Sequence, residues 1–547
     1  MIRLENIENK ELLLKDFFTW LFEDENIVLY HEEDLSLCHD YSDCNIYYPS
    51  GIKDFFETSF MQRLNRISQL GLAINVNQNL YNNRLEHSKG VYNRKVEEFF
   101  YNYQNPSWKK YIEDNNLKLY IIGDLIKMAG HDIGHLPLSH VFEMYAFNQK
   151  GAHEEIGKKI MLQDPEICSI LKKIHPNLPK IIDELYNKKL LNFSEHDESS
   201  YDVDRIDFLS RDSLYYGYIS YLPVQSYETV NIKVDKNGLP LENSDNSIIQ
   251  DNTSSKSIDV YDYSSLKEIE KTLKLHTTRY HDIYYSHDKS IYESTLNEFL
   301  SAFMSCESNC GKDLRQFILS LPNDPNEIDL DTFKKWDEIK FYSEVLDIAE
   351  HHENQHMRDL ATMIIPHMTA FLNLIYSHLK MYTKSQNYSP NDLDFLLKIK
   401  ELIKSNSQLL KNIENSSFTS DNTIFLDSNS LKFIDNSLIY LSSAKINSYK
   451  PSEPVYVRDK NGKIFELSKH PSRNYNWKNS TIIIPAKFVH IPYLKFMGVT
   501  DETIEKLKNS GKIATNRFSH KISNEVPKVN LSPLNSHKKI ESNFLEL

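Results

Sequence analysis

The stretch "MAGHDIGHLPLSH" (Met128–His140) places His131, Asp132, His135 and His140 within ten positions. The His-Asp dipeptide by itself says little, because the chain contains it five times: His39-Asp40, His131-Asp132, His196-Asp197, His281-Asp282 and His287-Asp288. What sets His131-Asp132 apart is its surroundings. Upstream, "LKLYIIGDLIKMAG" spaces Leu117, Tyr120, Ile121, Leu125 and Met128 at i, i+3 and i+4, which predicts a helix with a buried face, and Gly130 is a stop signal. His131 and Asp132 are therefore expected at the end of an internal helix. Pro137 breaks the chain, and a new helix is expected through "VFEMYAF".

Further candidates lie on both sides. His87 stands in "NRLEHSKG", and "YDVDRIDFLSRDSLYYG" follows downstream. An imidazole pair with two carboxylates suits a divalent metal of borderline softness: Mn, Fe, Zn or Co. Four protein ligands on a six-coordinate ion leave room for water and a phosphate oxygen. For any one of these histidines alone, the ordinary reading is a hydrogen-bonded core residue.

Other motifs compete. His352-Glu353-Asn354-Gln355-His356 fits the HExxH pattern of zinc proteases, but no third ligand follows at the required spacing, and a solvated helix face is the expectation. His31, Cys38, His39 and Cys44 match no closed zinc site, nor do Cys306 and Cys310. The chain has no phosphate-binding P-loop, no GxGxxG turn and no GxSxG nucleophile elbow.

The 547 residues predict two or three structural regions. A net charge of −14 argues against stable nucleic-acid binding, without excluding a local basic pocket for a phosphorylated small molecule. Five cysteines in this length fit a reducing compartment. The first residues carry charges throughout, and no apolar run approaches the roughly 20 residues of a membrane span. A cytoplasmic protein without membrane contact is expected. The expected division is an extension over 1–50, a catalytic core over 51–230, a hairpin and polar insertion loop over 231–258, a helical continuation over 259–403, an α+β region over 404–500 and a polar, partly disordered tail over 501–547. Within it, "TVNIKVDKNGLPLE" reads as a hairpin around Asn237-Gly238, "NSDNSIIQDNTSSKS" as an exposed loop, "EPVYVRDKNGKIFEL" as a second hairpin and "STIIIPAKFVHI" as a strand.

Taken in order, "QRLNRISQLG", "NRLEHS", "HDIGHLPLSH", "HEEIG" and "DVDRIDFLSRD" resemble the HD-domain deoxynucleoside triphosphate triphosphohydrolases, the family of the bacterial dGTP triphosphohydrolases and the animal sterile-alpha-motif dNTPase. The motif-bearing match runs from Met61 to Gly217 and continues more weakly through "RYHDIYYSH". It implies a mainly α fold: a helical HD metallophosphohydrolase core with small β-hairpin additions and an α+β C-terminal region. It implies release of inorganic triphosphate from dNTPs, one divalent metal per site (Mn, Fe, Mg, Zn or Co) with Mg accompanying the nucleotide, and a homo-oligomer switched by an allosteric nucleotide.

Carried over by position, the metal ligands are His87, His131, Asp132 and Asp204. His153 matches the catalytic histidine, with Glu154 to orient it and Glu143 as the carboxylate beside it. His135 and His140 match phosphate-pocket histidines, His135 with a catalytic part. Arg205 falls where a cation meets the triphosphate, and Arg84 where an arginine packs near the nucleotide. Gln69 and Asp212 match residues holding the sugar 3′-hydroxyl, beside Leu70. Phe208 and Tyr285 match aromatic walls. Three departures stand out: Phe208 replaces a tyrosine, Asn65 replaces a second arginine of the activator site beside Arg63, and "NVNQNLYNN" replaces a Pro-Gly turn. The last two put nucleotide activation, rather than hydrolysis, in question. The competing readings are another HD phosphohydrolase, acting on a nucleoside monophosphate, a signalling nucleotide or single-stranded nucleic acid, and a non-catalytic nucleotide sensor.

Overall fold

The computed structural model describes residues 10–23, 36–39, 45–75, 80, 82–147, 151–187, 201–216, 222–225, 227–234, 254–284, 287–306, 308–364, 423–426, 442–446, 455–469, 480–484, 488–490 and 513–514. The described chain is mainly helical. Its helices are α1 (Lys10–Phe22), α2 (Ser50–Phe56), α3 (Ser59–Arg63), α4 (Arg84–Tyr103), α5 (Pro106–Asp114), α6 (Lys118–Ala129), α7 (His140–Phe147), α8 (Ala152–Gln163), α9 (Pro165–Ile174), α10 (Leu178–Tyr186), α11 (Val203–Tyr215), α12 (Leu266–Arg279), α13 (His287–Ser305), α14 (Lys312–Ser320), α15 (Leu330–Phe333), α16 (Glu338–His351) and α17 (Gln355–Ile364). The strands are short: β1 (Ser36–His39), β2 (Asn45–Tyr48), β3 (Tyr227–Val234), β4 (Ser254–Tyr261), β5 (Thr423–Leu426), β6 (Ser442–Ile446), β7 (Tyr456–Arg458), β8 (Ile464–Glu466), β9 (Ser480–Ile484), β10 (Phe488–His490) and β11 (Ile513–Ala514).

The central helix is α4, packed between α6 and α11. It is buried nearly all round although its sequence is rich in charge. Burial is tolerable because its charges find partners: Lys95 Nζ lies 3.2 Å from Asp124 and 3.5 Å from Glu98, and Arg94 lies 3.6 Å from Glu97. An apolar core gathers Phe17, Phe55, Phe60, Ile121, Leu125, Ile133 and Phe142 around it. Helix α6 ends at Gly130, as the apolar spacing predicts, and α7 begins at His140. Asn83 caps α4 by accepting from Glu86 N at 2.9 Å, and Asp202 caps α11 by accepting from Arg205 N at 2.6 Å. Such caps contribute about 1 kcal/mol each, and here they fix the first turns that carry His87 and Asp204.

The β additions differ from expectation in two respects. Strand β3 pairs antiparallel with β4, Tyr227 opposite Tyr261 and Val234 opposite Ser254, while Asn237-Gly238, the expected turn, lies outside the described residues. Strand β4 thus begins inside the segment read as an exposed loop. Its apolar positions Ile258 and Val260 come late in a stretch dominated by Asn and Ser, which hides the alternation. β4 then pairs parallel with β7, and β7–β8 form the second hairpin, completing a sheet of order β3-β4-β7-β8. "STIIIPAKFVHI" holds two strands, β9 and β10, rather than one, with Pro485 between them. Among the described residues no helix is long and apolar enough to cross a membrane.

Candidate metal centre and active site

Three elements bring four side chains to one point: the first turn of α4 supplies His87, the turn after α6 supplies His131 and Asp132, and the first turn of α11 supplies Asp204. His87 Nε2 lies 3.2 Å from His131 Nε2, 2.8 Å from Asp204 Oδ1 and 3.7 Å from Asp132 Oδ2. His131 Nε2 is 3.4 Å from Asp132 Oδ1 and 3.5 Å from Asp204 Oδ1. The outer ring nitrogens are fixed. His87 Nδ1 meets Asp207 Oδ2 at 2.8 Å, and His131 Nδ1 meets the Met128 carbonyl at 2.8 Å. Both partners accept, so each Nδ1 carries a hydrogen and each Nε2 faces the centre, free to bind a cation or a proton. Two lone pairs 3.2 Å apart repel unless a cation or a proton lies between them. Ligands at about 2.0–2.2 Å from one ion stand roughly 3 Å from each other, so the set fits a divalent cation.

The electrostatics agree. Burial alone would pull the His87 imidazolium down, but its bonds to Asp204 and Asp207 outweigh burial and hold it up at about 10. His131 is raised in the same way, by the charges of Asp132 and Asp204. Burial pushes the Asp132 carboxyl up, yet Arg84 and the neighbouring histidines hold it well below the usual range. The pocket therefore favours positive charge at its centre. Asp207, a residue the sequence reading did not single out, is itself held by Arg211 at 3.0 and 3.1 Å. Its signal was its spacing, three positions after Asp204 on the same helix.

A second cluster surrounds Glu143. His135 Nδ1 lies 2.5 Å from Glu143 Oε1, and Glu143 Oε2 receives His153 Nδ1 at 3.0 Å and His140 Nδ1 at 3.4 Å. The His135 and His153 rings stack at 3.9 Å. Two sequence expectations change here. The carboxylate that orients His153 is Glu143; Glu154 is exposed and contributes only a weaker through-space field. His135 does not face a phosphate: it is fully buried, its Nε2 is 3.1 Å from Asp132 Oδ1, and both nitrogens confront carboxylates. Burial, with the charges of Arg84 and His153, pushes it down to about 3, so it is a neutral ring whose single N–H goes to Glu143, leaving Nε2 without a hydrogen bond between the two clusters. His153 and His140 keep Nε2 for a substrate atom, with side chains 13% and 35% exposed.

Gly134 sets the distance between these clusters. A Cβ there would lie 2.0 Å from the His153 carbonyl oxygen and 2.5 Å from Gly157 N. Gly134→Ala is expected to push α8 away and carry His153 with it. A misplacement near 1 Å is worth about 100-fold in rate, which kcat of the purified variant will report; unchanged kcat would mean that α8 does not set the His153 position.

On the third side, Asp212 Oδ1 accepts from Asn82 Nδ2 at 2.6 Å and Oδ2 accepts from the Tyr284 hydroxyl at 2.5 Å. Burial raises this carboxyl to about 6 against those two bonds. Asp212 is thus already engaged, whereas Gln69 Oε1 and Asn82 Oδ1 are buried acceptors without a hydrogen-bond partner. Tyr284 also meets Phe208 edge-on at 6.0 Å, and Leu70 packs with Ala73, Leu80 and Ile283 beside it. Tyr285, the expected wall residue, lies outside the described residues.

Of the arginines, Arg84 parts from expectation. Arg84 is buried and engaged: it donates to Asp132 at 2.6 Å, Ser139 Oγ at 2.8 Å and the Gln69 carbonyl at 3.4 Å. It therefore braces a metal-facing carboxylate. Arg205 is buried in the first turn of α11, and its charge is felt by Tyr280. Arg63 is fully buried on the Trp336 carbonyl at 2.6 Å and over the Phe333 ring at 4.3 Å, so it offers no cation to an activator nucleotide at the surface.

The decoys separate cleanly. Helix α16 ends at His351, His352 is extended, and α17 begins at Gln355, so the HExxH residues share no helix. His352 is buried and accepts from Asn354 N at 3.0 Å rather than lying on a solvated face. Cys38 and His39 fall in β1, while His31, Cys44 and His196 lie outside the described residues. Cys168, Cys306 and Cys310 are free.

No family model matches the chain. It is 36% identical over 191 residues to a putative HD domain-containing protein of Acanthamoeba polyphaga mimivirus, covering 31% of this chain and 42% of that protein. It is 27% identical over 180 residues to the deoxynucleoside triphosphate triphosphohydrolase SAMHD1 homolog of Dictyostelium discoideum, covering 31% and 34%. The matched stretch spans well under half the length of these curated relatives. A phosphohydrolase from Bacteroides thetaiotaomicron superposes with a TM-score of 0.51 at 17% identity, covering 83% of this chain and 98% of that structure. The fold is that of an HD-type phosphohydrolase, and its His/Asp/Glu clusters could hold a divalent metal.

Proposed function

We propose that the chain is a metal-dependent hydrolase of deoxynucleoside triphosphates, releasing a deoxynucleoside and inorganic triphosphate. One observation carries the reading: a cation-favouring set of two imidazoles and two carboxylates stands beside a Glu143-held imidazole, His153, with His135 packed between them. The matched relative named as a dNTP triphosphohydrolase supports the substrate class. A divalent cation on His87, His131, Asp132 and Asp204 would supply charge neutralisation at the α-phosphate and acidify an attacking water. In the balanced reaction a water oxygen bonds to the α-phosphorus and sheds a proton to solvent, the bond from phosphorus to the sugar 5′-oxygen breaks, and His153 regains its proton from solvent. The leaving oxygen takes its proton from His153 Nε2, and Glu143 holds that ring in place. His140 Nε2 and Arg205 are the groups assigned to the phosphate chain. Gln69 Oε1, an unpartnered acceptor, is assigned to the single proton of the 3′-hydroxyl, with Asn82 held beside it by Asp212.

Phe208 and Tyr284 then lie against the 2′ carbon. A ribose hydroxyl buried there without a partner costs about 1–3 kcal/mol, which is about 5- to 150-fold in kcat/KM. The test supplies each dNTP and NTP singly and mixed, with Mn²⁺ or Mg²⁺, and separates products by anion exchange. Triphosphate release with dATP preferred over ATP is expected. Release of pyrophosphate or single phosphate, or hydrolysis only of monophosphates or cyclic nucleotides, would move the chain to another HD phosphohydrolase chemistry. Control of dNTP pools or defence against phage, in the cytoplasm and as a homo-oligomer, is the role consistent with this activity.

A further inference from the structure

The metal-facing carboxylate Asp132 is connected by an unbroken hydrogen-bond chain to a helix some 200 residues away in sequence. Glu338, at the start of α16, is 1% exposed. Its Oε1 accepts three bonds: from Ser68 N at 2.9 Å, Ser68 Oγ at 2.6 Å and Leu138 N at 3.1 Å. The Ser68 carbonyl accepts from Ser139 Oγ at 2.8 Å, Ser139 Oγ accepts from Arg84 Nε at 2.8 Å, and Arg84 Nη1 donates to Asp132 Oδ2 at 2.6 Å.

The segment that Glu338 grips would not hold its shape alone. Leu138 and Ser139 both take left-handed backbone angles, φ 62° and 57°, that non-glycine residues avoid. Two such residues in sequence cost on the order of 1–3 kcal/mol each and persist only where the surroundings over-determine them. Gly71 at φ 52° packs against the same turn, where a Cβ would come 2.9 Å from the Leu138 oxygen. The start of α16 also holds the opposite side of the loop: Asp337 accepts from Arg66 Nε at 2.6 Å, and the Trp336 carbonyl accepts from Arg63 Nε at 2.6 Å. Three consecutive residues, 336 to 338, thus fasten the 63–68 segment, and the last also fastens the turn that presents Ser139 and His140.

We propose that Glu338 is a positioning residue for hydrolysis, acting from α16 through Ser68, Ser139 and Arg84 to set the place of Asp132 in the metal centre. The proposal rests on the metal-dependent reading above. A side chain that only filled space would need no acceptor oxygen, and one that only capped α16 would not reach Leu138; Asp337 is the residue that caps it, accepting from Lys340 N at 3.0 Å. Because α16 packs on α14 and α17, anything that shifts that helical layer reaches the metal through this chain.

The experiment compares the full chain with Glu338→Ala, Glu338→Gln and Ser139→Ala. Mn²⁺ affinity is read from the free-ion signal in electron paramagnetic resonance, which needs no substrate, and kcat and KM are read with a dNTP. Outer partners of metal ligands are worth about 10–100-fold in affinity or rate. Glu338→Ala is expected to weaken Mn²⁺ binding and lower kcat within that range, with KM nearly unchanged. Glu338→Gln keeps the accepting oxygen and is expected to stay within a few-fold of wild type. Ser139→Ala cuts the chain between Ser68 and Arg84 without touching α16, so it decides the matter if Glu338→Ala does not fold; its expected loss of Mn²⁺ affinity is about tenfold. Wild-type Mn²⁺ affinity in a folded Glu338→Ala or in Ser139→Ala, even with a lowered melting temperature, overturns the proposal. If the wild-type chain binds Mn²⁺ but releases no triphosphate from any dNTP, the substrate reading fails while the Mn²⁺ arm still judges Glu338. A wild-type chain that takes up no Mn²⁺ overturns both.

Discussion

His131→Ala is expected to abolish metal retention and hydrolysis while leaving the chain folded, and Asp132→Ala is expected to abolish both and to destabilise the protein as well. The two ligands differ in what stands behind them. His131 leans on a backbone carbonyl, Met128, and its ring is partly exposed, so its removal leaves no buried charge behind. Asp132 is the counter-charge of Arg84, with side chains 5% and 3% exposed. Its removal leaves a buried guanidinium unpaired, a loss of about 3–5 kcal/mol. That is a large share of the roughly 5–15 kcal/mol that holds a domain folded. A variant lacking both ligands would not separate metal loss from unfolding, and His131→Ala is the cleaner test. Metal content by elemental analysis and melting temperature should diverge: His131→Ala without metal at near wild-type apo stability, Asp132→Ala without metal and less stable. His352→Ala should keep its metal, since that imidazole is buried at the break between α16 and α17. Full activity in His131→Ala at a Mn²⁺ level that saturates wild type would remove His131 from the centre.

How much of this was legible before any coordinates depended on distance along the chain. The helix ending at Gly130 was readable because its apolar residues repeat at helical spacing, and the turn after it because Pro137 interrupts the pattern. The mainly α class was what the resemblance implied. Helix α4 was harder, since its burial is achieved with paired charges, and Lys95 with Asp124 is a contact that no local pattern announces. The motifs supplied the candidate residues but not their division of labour. Glu154 is next to His153 in sequence and was the natural guess for its partner, yet adjacent residues on a helix point about 100° apart, and Glu143 reaches the ring from α7 instead. Tyr284 against Asp212, Asn82 beside them and Glu338 behind the turn are long-range contacts, separated by 72, 130 and 270 positions from the residues they serve. Such pairings exist only once the helices pack. The loop that proved to be β4 was lost for the opposite reason: a local polar composition concealed a strand whose partner lies across an insertion.

Turnover should depend on pH through His153 in a direction that Glu143 controls. Burial alone would drive the His153 proton off, but the charge of Glu143 and its hydrogen bond outweigh burial and raise this imidazole above its ordinary 6.5. If His153 is the general acid, the active form is the protonated ring, so the rate is full below its raised pKa and falls as pH rises through it. His153→Ala should then slow turnover by about 10²–10⁴-fold with Mn²⁺ content intact. Glu143→Gln keeps the shape and removes the charge. Burial is then opposed only by the weaker fields of Asp132 and Glu154, the His153 pKa drops, and the alkaline limb of kcat moves to lower pH, so the variant loses most activity at pH 8 and least near pH 6. The same carboxylate faces His135 and His140, so their influence must be judged too. His135, pushed down to about 3, is neutral on both sides of this window and adds no titration there. Burial lowers His140 as well, despite its Glu143 contact, so its proton leaves below the pH at which His153 acts. An alkaline limb that stays put in Glu143→Gln, with kcat reduced uniformly, would show that Glu143 only places the ring and that the proton for the leaving oxygen comes from elsewhere. A limb that shifts downward assigns the proton to His153 and its retention to Glu143.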